Sequence, residues 1–209
     1  MAGASVARRE IVVPKAPTLA MANRFQRYKP ETEKTVRGVE VKEDETLRQL
    51  KEAWKACGYT GDSVKDYPKM LKIVKKLEYS AKDVVDFNLA LVEFQGERDF
   101  IYKAGLFLSA LMNNSKDSEF VIHTNHLAES INFLGYKNTK NITVNGNAGN
   151  AVGGYMCGGS ITIKEDAGDY TGQGMKGGEI RLLGDYKSIS FHILSGGKIF
   201  HKGKLIVDK

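Results

Sequence analysis

Cysteine is scarce in this chain of 209 residues, which contains only Cys57 and Cys157. Two cysteines cannot form the disulfide framework of a small secreted domain, and they are too few to hold an iron–sulfur cluster. Long hydrophobic runs are also missing, because no apolar stretch approaches the roughly 20 residues of a transmembrane helix. The first residues lack the apolar core of a signal peptide. We therefore expect a soluble protein of a reducing compartment, the cytoplasm, with no membrane partner.

Histidine is also scarce, with four residues, and their spacing offers little chemistry. His123 and His126 form an H-x-x-H pair, but a zinc site needs three or four ligands, and the residues between the pair are threonine and asparagine. His192 and His201 have no evident cysteine or carboxylate partner. Cys157 is the one reactive candidate in the second half of the chain, and no base is evident beside it. We therefore predict no catalytic residue, no metal site and no cofactor.

Glycine, in contrast, is abundant, with 22 residues, and many of them belong to a repeat. Three rows of equal length lie over one another at residues 142–160, 161–179 and 180–198. A fixed period near 20 residues with short alternating apolar runs is typical of a solenoid built from small strand-and-turn coils. The stacked columns are Ile142, Ile161 and Ile180; Val144, Ile163 and Leu182; and Met156, Met175 and Leu194.

Each row opens with an I-x-[VIL] run, whose alternation predicts a strand. Stacked coils pair their strands in parallel, so the rows predict a parallel β-helix. A flexible glycine-rich loop would lack the regular apolar positions, and a dinucleotide-binding loop would be followed by a helix. Asp166, Asp169 and Asp185 fit turn formation better than acid–base chemistry. The repeat glycines are Gly149, Gly153, Gly158, Gly159, Gly168, Gly172, Gly177, Gly178, Gly196 and Gly197.

The phrases GNAGNAVGGYMCGGSITI and GDYTGQGMKGGEI resemble the GXGXG β-helix domain. This domain ends the large subunit of glutamate synthase and also forms much of one of the subunits of formylmethanofuran dehydrogenase. The resemblance covers residues 140–198 and implies a right-handed β-helix that supports catalytic domains or subunits without catalytic residues of its own. The third row departs from the pattern at Lys187 and Phe191. Residue 2 is alanine, so the N-terminal cysteine nucleophile of glutamate synthase has no counterpart.

Helical periodicity occupies residues 41–116 and predicts a helical domain of four helices. We expect the second helix to begin near Tyr67 and Pro68, with the proline in its first turn. The fourth helix, at about 99–112, is apolar almost all round, which predicts the most buried helix. The predicted N-terminal caps are Asp44 for the first helix and Ser80 with Asp83 for the third.

The segments around the repeat are expected to cover its ends, since an open β-helix end exposes unpaired strand edges. Residues 117–141 are predicted to be a capping connector, with a short strand around Phe120 and a helix at 127–134. The β-helix domain is placed at 142–209. Residues 199–207 are expected to continue it as a partial fourth coil.

Residues 1–40 carry eight Lys/Arg and four Asp/Glu and are predicted to be a basic, partly disordered tail. Two interpretations remain open for this segment: a solvated tail, or an arm that lies on a protein or an RNA backbone. The candidate residues of the arm are Arg8, Arg9, Lys15, Arg24, Phe25, Arg27 and Tyr28.

We therefore predict an α+β protein with an N-terminal helical domain followed by a short right-handed parallel β-helix of about three coils. The predicted function is non-catalytic: a scaffold or adaptor that binds to itself or to protein partners in a cytoplasmic assembly. One alternative is an RNA- or ribosome-associated factor that uses the basic arm. Another is a small enzyme subunit related to glutamate synthase or formylmethanofuran dehydrogenase, with a site around His123 and His126.

Overall fold

The computed structural model of this chain describes residues 44–190 and 194–209. The predicted basic arm and His192 lie outside the described residues. The described chain begins with four α-helices and continues as a mostly parallel β-solenoid of about four turns. The predicted α+β class is therefore confirmed.

The helices fill the N-terminal region of the described chain. Helix α1 is Glu45–Ala56, α2 is Ser63–Val74, α3 is Ala81–Ala90 and α4 is Phe100–Asn114, and a 3-10 helix, Leu91–Phe94, follows α3. The predicted caps are confirmed: Asp44 accepts a hydrogen bond from the Thr46 N–H, and Ser80 and Asp83 form a capping box. Both arrangements satisfy backbone donors that a helix start leaves unpaired.

Helix α2 begins earlier than the proline suggests. The Asp62 side chain accepts hydrogen bonds from the N–H groups of Val64 and Lys65, so the helix starts at Ser63. Pro68 consequently lies inside the helix and not in its first turn. The sequence-based start was wrong because the aspartate cap is a stronger start signal here than the proline.

Helix α4 is the central helix, as predicted. Its residues from Leu106 to Leu108 and from Ala110 to Met112 are fully buried. Trp54 of α1 packs edge-on to Phe107 of α4, with ring centroids 5.6 Å apart. This aromatic contact joins the first and last helices in the core.

Six strands form one sheet in chain order, so each strand neighbours the next one along the chain. The pairs from β1 to β5 are parallel. Along β1, β2 and β3, buried residues alternate with less buried ones. The column of Phe120, Ile142, Ile161, Ile180 and Ile199 faces the core. The strands are β1 Glu119–His123, β2 Asn141–Asn145, β3 Ser160–Ile163, β4 Lys176–Leu182, β5 Gly196–His201 and β6 Lys204–Asp208.

The connector at 117–141 contributes a coil of its own. Its predicted strand is β1, but the predicted helix at 127–134 was wrong, and turns occupy that stretch. The helix is absent because the N–H of Asn132 donates to Ile101 in α4, and the N–H of Phe133 donates to Asn150 in the next coil. The turn positions with positive φ match those of the following coil: Phe133 with Ala151, Gly135 with Gly153, and Lys137 with Tyr155.

The last segment closes the sheet with a hairpin. Strand β6 pairs antiparallel with β5, so the prediction that 199–207 continue as a partial fourth coil was wrong for its second half. Lys202 and Gly203 both have positive φ, 48° and 79°, as a two-residue type I′ turn requires. The reversal ends the solenoid at this strand.

The helices and coils share one hydrophobic core. Helix α4 lies so close to the first coil that a Cβ at Gly105 would overlap the Asn132 carbonyl oxygen. Helix α3 contributes Asn88, whose amide bonds the backbone of His123 at the free edge of β1. Side chains and carbonyl groups of the helices thus pair backbone groups that the first coil would otherwise leave open.

Candidate functional site

A column of polar side chains joins successive coils at their turns. The N–H of Asn150 donates to Asn132 Oδ1 at 2.7 Å, and the N–H of Asp169 donates to Asn150 Oδ1 at 2.8 Å. The hydroxyl of Ser188 continues the column by donating to Asp169 Oδ1 at 2.9 Å. Each side chain therefore holds the coil that follows it.

A second column runs beside the first. The N–H of Asp166 donates to Asn147 Oδ1 at 2.9 Å, and the N–H of Asp185 donates to Asp166 Oδ1 at 2.8 Å. The turn interpretation predicts that these aspartates bond the backbone of their own turns. The side-chain bonds of Asp166 and Asp169 instead come from a backbone N–H and a hydroxyl group of the next coil.

A groove of about 360 Å³ lies along the two columns. Its charged lining residues are Asp166 and Lys187, and the glycines Gly149 and Gly168 also line it. Lys187 occupies the repeat position that is Gly149 and Gly168 in the earlier rows. The third coil therefore places a cation at the end of the groove. The groove can form hydrogen bonds with a polar ligand, but Asn147 and Asp166 already accept bonds from the next coil.

The junction of α3 and β1 holds the H-x-x-H pair. Asn88 Oδ1 accepts from the His123 N–H at 2.7 Å, and Asn88 Nδ2 donates to the His123 carbonyl at 2.9 Å. His126 Nε2 lies 3.2 Å from the Asn88 carbonyl oxygen, and its Nδ1 is buried without a partner. Within 44–190 and 194–209, no group of three His, Cys, Asp or Glu residues could hold a metal ion.

His201 has a carboxylate neighbour that the sequence did not reveal. Its Nε2 lies 3.6 Å from Asp185 Oδ1, and its ring packs edge-on against Tyr186. Lys202 bonds the same oxygen at 2.7 Å, and this hydrogen bond lowers the pKa of Asp185 below its ordinary value. The cluster joins the last turn to the closing hairpin, which is a structural role.

The two thiols lie in different environments. Cys57 is buried at the end of α1, and this burial raises the pKa of its thiol to about 11. Cys157 is exposed, and its thiol donates to the Tyr155 carbonyl at 3.3 Å. Neither has a base within hydrogen-bonding distance among the described residues.

The repeat glycines meet two different needs. Gly153 and Gly172 occupy one column with φ of 67° and 72°, where a side chain would be strained. A Cβ at Gly149 or Gly168 would overlap the coil before it. Gly158 is an exception, because no heavy atom lies within 4 Å of a Cβ built there. The remaining glycines have positive φ (Gly159, Gly178, Gly197) or close neighbours (Gly177, Gly196).

An apolar patch lies at the last strands. We define it by Phe200 of β5, its partner Leu205 of β6, and Leu183, which directly follows β4. Leu183 and Leu205 are 49% and 41% exposed. Phe200 pairs with Arg181 on β4 and with Leu205 on β6, and the Arg181 guanidinium lies 6.0 Å from the ring centre. Phe200 itself is half-buried. Apolar side chains grouped at a surface are typical of protein contact surfaces.

The sequence interpretation missed a row of lysines along α2 and the turn that follows it. All members of this lysine face are exposed, whereas Met70 and Val74 on the opposite side are buried. The signal was their helical spacing of four, three and four residues, which a charge balance taken over the longer stretch of 41–120 conceals. We define the lysine face as Lys65, Lys69, Lys72 and Lys76.

Comparisons of the chain with protein-family models, curated proteins and solved structures gave no match. None of the helices in 44–190 and 194–209 has both the length and the apolar character needed to cross a bilayer.

Proposed function

We propose that this chain is a non-catalytic scaffold or adaptor, a short β-helix of the GXGXG type that binds to itself or to protein partners in a cytoplasmic assembly. The observation that carries the proposal is that side chains at the turns form hydrogen bonds with the next coil. Asn150 and Asp169 accept hydrogen bonds from the next coil. Side chains used in this way hold the coils in register and leave a stiff, regular surface.

The resemblance of GNAGNAVGGYMCGGSITI and GDYTGQGMKGGEI to the GXGXG domain supports the same role. In the families that have this domain, the β-helix supports catalytic domains or subunits. The present chain adds helices that bond the first coil, and a hairpin that ends the last one. Covering the ends of a solenoid favours a finite unit with a defined docking surface over an open-ended filament.

The apolar patch is the docking surface that we propose. It contains two exposed leucines and Phe200, whose ring lies beside Arg181. Aromatic residues and arginine are enriched in protein interfaces. The patch lies at the hairpin end of the sheet, away from the strand edge that α3 covers.

Light scattering coupled to size exclusion tests this proposal on nuclease-treated full chain at low and high salt. We expect an oligomer, or a stoichiometric complex with a purified protein partner, that persists at high salt because the contact is apolar. The double variant Leu183→Glu/Leu205→Glu is expected to dissociate it. The matched control is Val64→Glu/Leu89→Glu, which places the same charges on two exposed apolar residues of the helices.

Two outcomes would reject the docking surface. One is a monomer that binds no protein partner in any of the three forms. The other is a complex that both double variants retain or lose equally. Melting curves from circular dichroism should first establish that the variants are folded.

A further inference from the structure

Positive charge is concentrated on one face of the described chain. Residues 65–76 contain five lysines and one aspartate, whereas the other described residues contain slightly more acidic than basic side chains. The net charge of the described residues outside 65–76 is therefore close to zero. A local concentration of one charge sign attracts ligands of the opposite sign.

Three of the four lysines form a row along α2. A rise of 1.5 Å per residue spreads Lys65, Lys69 and Lys72 over about 10 Å along the helix axis, and Lys76 lies in the turn just beyond the end of the helix. The opposite side of α2 buries Tyr67, Met70 and Val74 in the core. Packing therefore fixes the direction in which the row points.

Half of the lysine face has no partner of opposite charge within the described ranges. Lys65 pairs with Asp62 at 3.1 Å, and Lys69 pairs with Asp66 at 3.0 Å, yet their side chains stay 76% and 64% exposed. Lys72 and Lys76 form no ion pair with any described residue. An external anion can therefore reach all four ammonium groups.

Phosphate groups along a polynucleotide are the ligand that suits such a row. Lysine contacts to phosphates position nucleic acids but carry no sequence information. A row made only of lysines also offers no aromatic ring on which a base could stack. A membrane surface is a poorer ligand for the lysine face than a polynucleotide. A helix that lies on a membrane inserts its apolar side into the lipid, but the apolar side of α2 is already packed in the core. We propose that the lysine face binds the phosphate backbone of nucleic acids without sequence preference, which would give the scaffold a second, separate surface.

Fluorescence anisotropy with the full chain and a labelled RNA of mixed sequence tests this proposal over a series of KCl concentrations. We expect the double variant Lys72→Gln/Lys76→Gln to weaken binding at low salt by about tenfold, and to reduce the slope of log K against log salt by about 1.4, since each lost contact to single-stranded phosphate removes about 0.7. A second RNA of unrelated sequence should bind equally. The matched control is Lys164→Gln/Lys204→Gln, which removes the same charge from exposed solenoid lysines that form no ion pair with any described residue.

Three outcomes would overturn the proposal. The first is no salt-dependent binding by the unmodified chain. The second is an equal loss in both double variants, because net charge alone would then explain the binding. The third is competition by polyglutamate at lower charge concentration than by RNA, with the same dependence on Lys72 and Lys76, because the face would then bind an acidic protein. All four substituted lysines are exposed, and glutamine preserves helix propensity at Lys72, so both double variants should remain folded.

Discussion

Gly105 of α4 lies directly against the carbonyl group of Asn132 in the first coil. A Cβ at position 105 would overlap the Asn132 oxygen and approach Leu134 N to 2.9 Å. The N–H of Asn132 also donates to the Ile101 carbonyl at 2.9 Å. The helix and the coil therefore touch through their backbones, and only glycine permits this contact.

Gly105→Ala should lower the free energy of unfolding by about 2 kcal/mol, because overpacking costs more than alanine gains in helix propensity. Urea unfolding, monitored by circular dichroism, measures this change in the free energy of unfolding. Gly96→Ala is the control, since no heavy atom lies within 4 Å of a Cβ there. Equal midpoints for the two variants would show that the helix can move away from the coil.

Asn88→Ala should weaken the edge of β1. The substitution removes both side-chain bonds to the His123 backbone and leaves a partly buried N–H and carbonyl unpaired. We expect a loss of about 2 kcal/mol, the typical cost of such groups. Hydrogen exchange should show the His123 amide exchanging faster, while the exposed Asn125→Ala control keeps it protected. Unchanged protection in Asn88→Ala would show that water or another group replaces the asparagine.

Asn150→Ala tests the polar column. Asn150 Oδ1 accepts the Asp169 N–H, and alanine cannot replace it. A loss of about 1 kcal/mol is expected from one partly exposed hydrogen bond. Asn150→Asp keeps the acceptor and should recover most of the loss, because Asp169 is the corresponding acceptor in the following coil. If alanine and aspartate unfold at the same urea concentration as asparagine, the column does not stabilise the solenoid.

The two thiols should react at very different rates with a disulfide reagent at pH 8. Cys157 is exposed and should react at once in the native chain. Cys57 should react only after unfolding, because burial raises the pKa of its thiol to about 11 and blocks access. The Cys157→Ser variant should then show no rapid phase. A rapid phase in that variant would mean that the end of α1 opens easily.

Asp66 should make stability depend on acid pH. Burial acts to raise the pKa of this carboxyl group, but hydrogen bonds from the Thr60 N–H and hydroxyl, and the pair with Lys69, outweigh it, so the pKa lies below its ordinary value. A carboxylate with a lowered folded-state pKa stabilises the fold above its unfolded-state pKa. This contribution is lost as the pH falls below about 4 and through the folded-state value.

Asp66→Asn should therefore be less stable than the unmodified chain at pH 7, with a difference that shrinks toward pH 3. Urea unfolding at several pH values measures this. Glu165→Gln is the control, because Glu165 is exposed and forms no hydrogen bond or ion pair with any described residue. A difference that stays constant with pH would assign the effect of Asp66→Asn to packing.

The regular coils could be predicted because their spacing is constant. Strands β2, β3 and β4 pair at a separation of 19 residues, so the same side chains recur in the sequence and in the column. The first coil could not be recognised as part of the repeat, because its spacing from the second coil is uneven. Glu119 and Asn141 are 22 residues apart at the strand, whereas Asn132 and Asn150 are 18 apart at the turn.

Some features of the candidate sites could likewise be predicted from the sequence, and others could not. Cys57 was recognisable as a buried thiol because it continues the apolar stripe of α1. The proximity of His201 to Asp185 could not be recognised in the sequence, because it arises only when the hairpin returns beside the last turn. The lysine face was visible in the spacing of α2, but only the burial of Met70 and Val74 shows that it points outward.

The amino-acid pattern alone was enough to show that the second half of this chain stacks as coils, because parallel strands joined by equal turns require an equal period of apolar and glycine positions. It was also enough for most helix starts, because a capping side chain acts within three residues of its own position. Two contacts became known only from the folded chain: α4 lies against the first coil at Gly105, and β6 reverses along β5. The fit of surfaces and the pairing of open backbone groups decide such contacts, and no local sequence pattern records either of them.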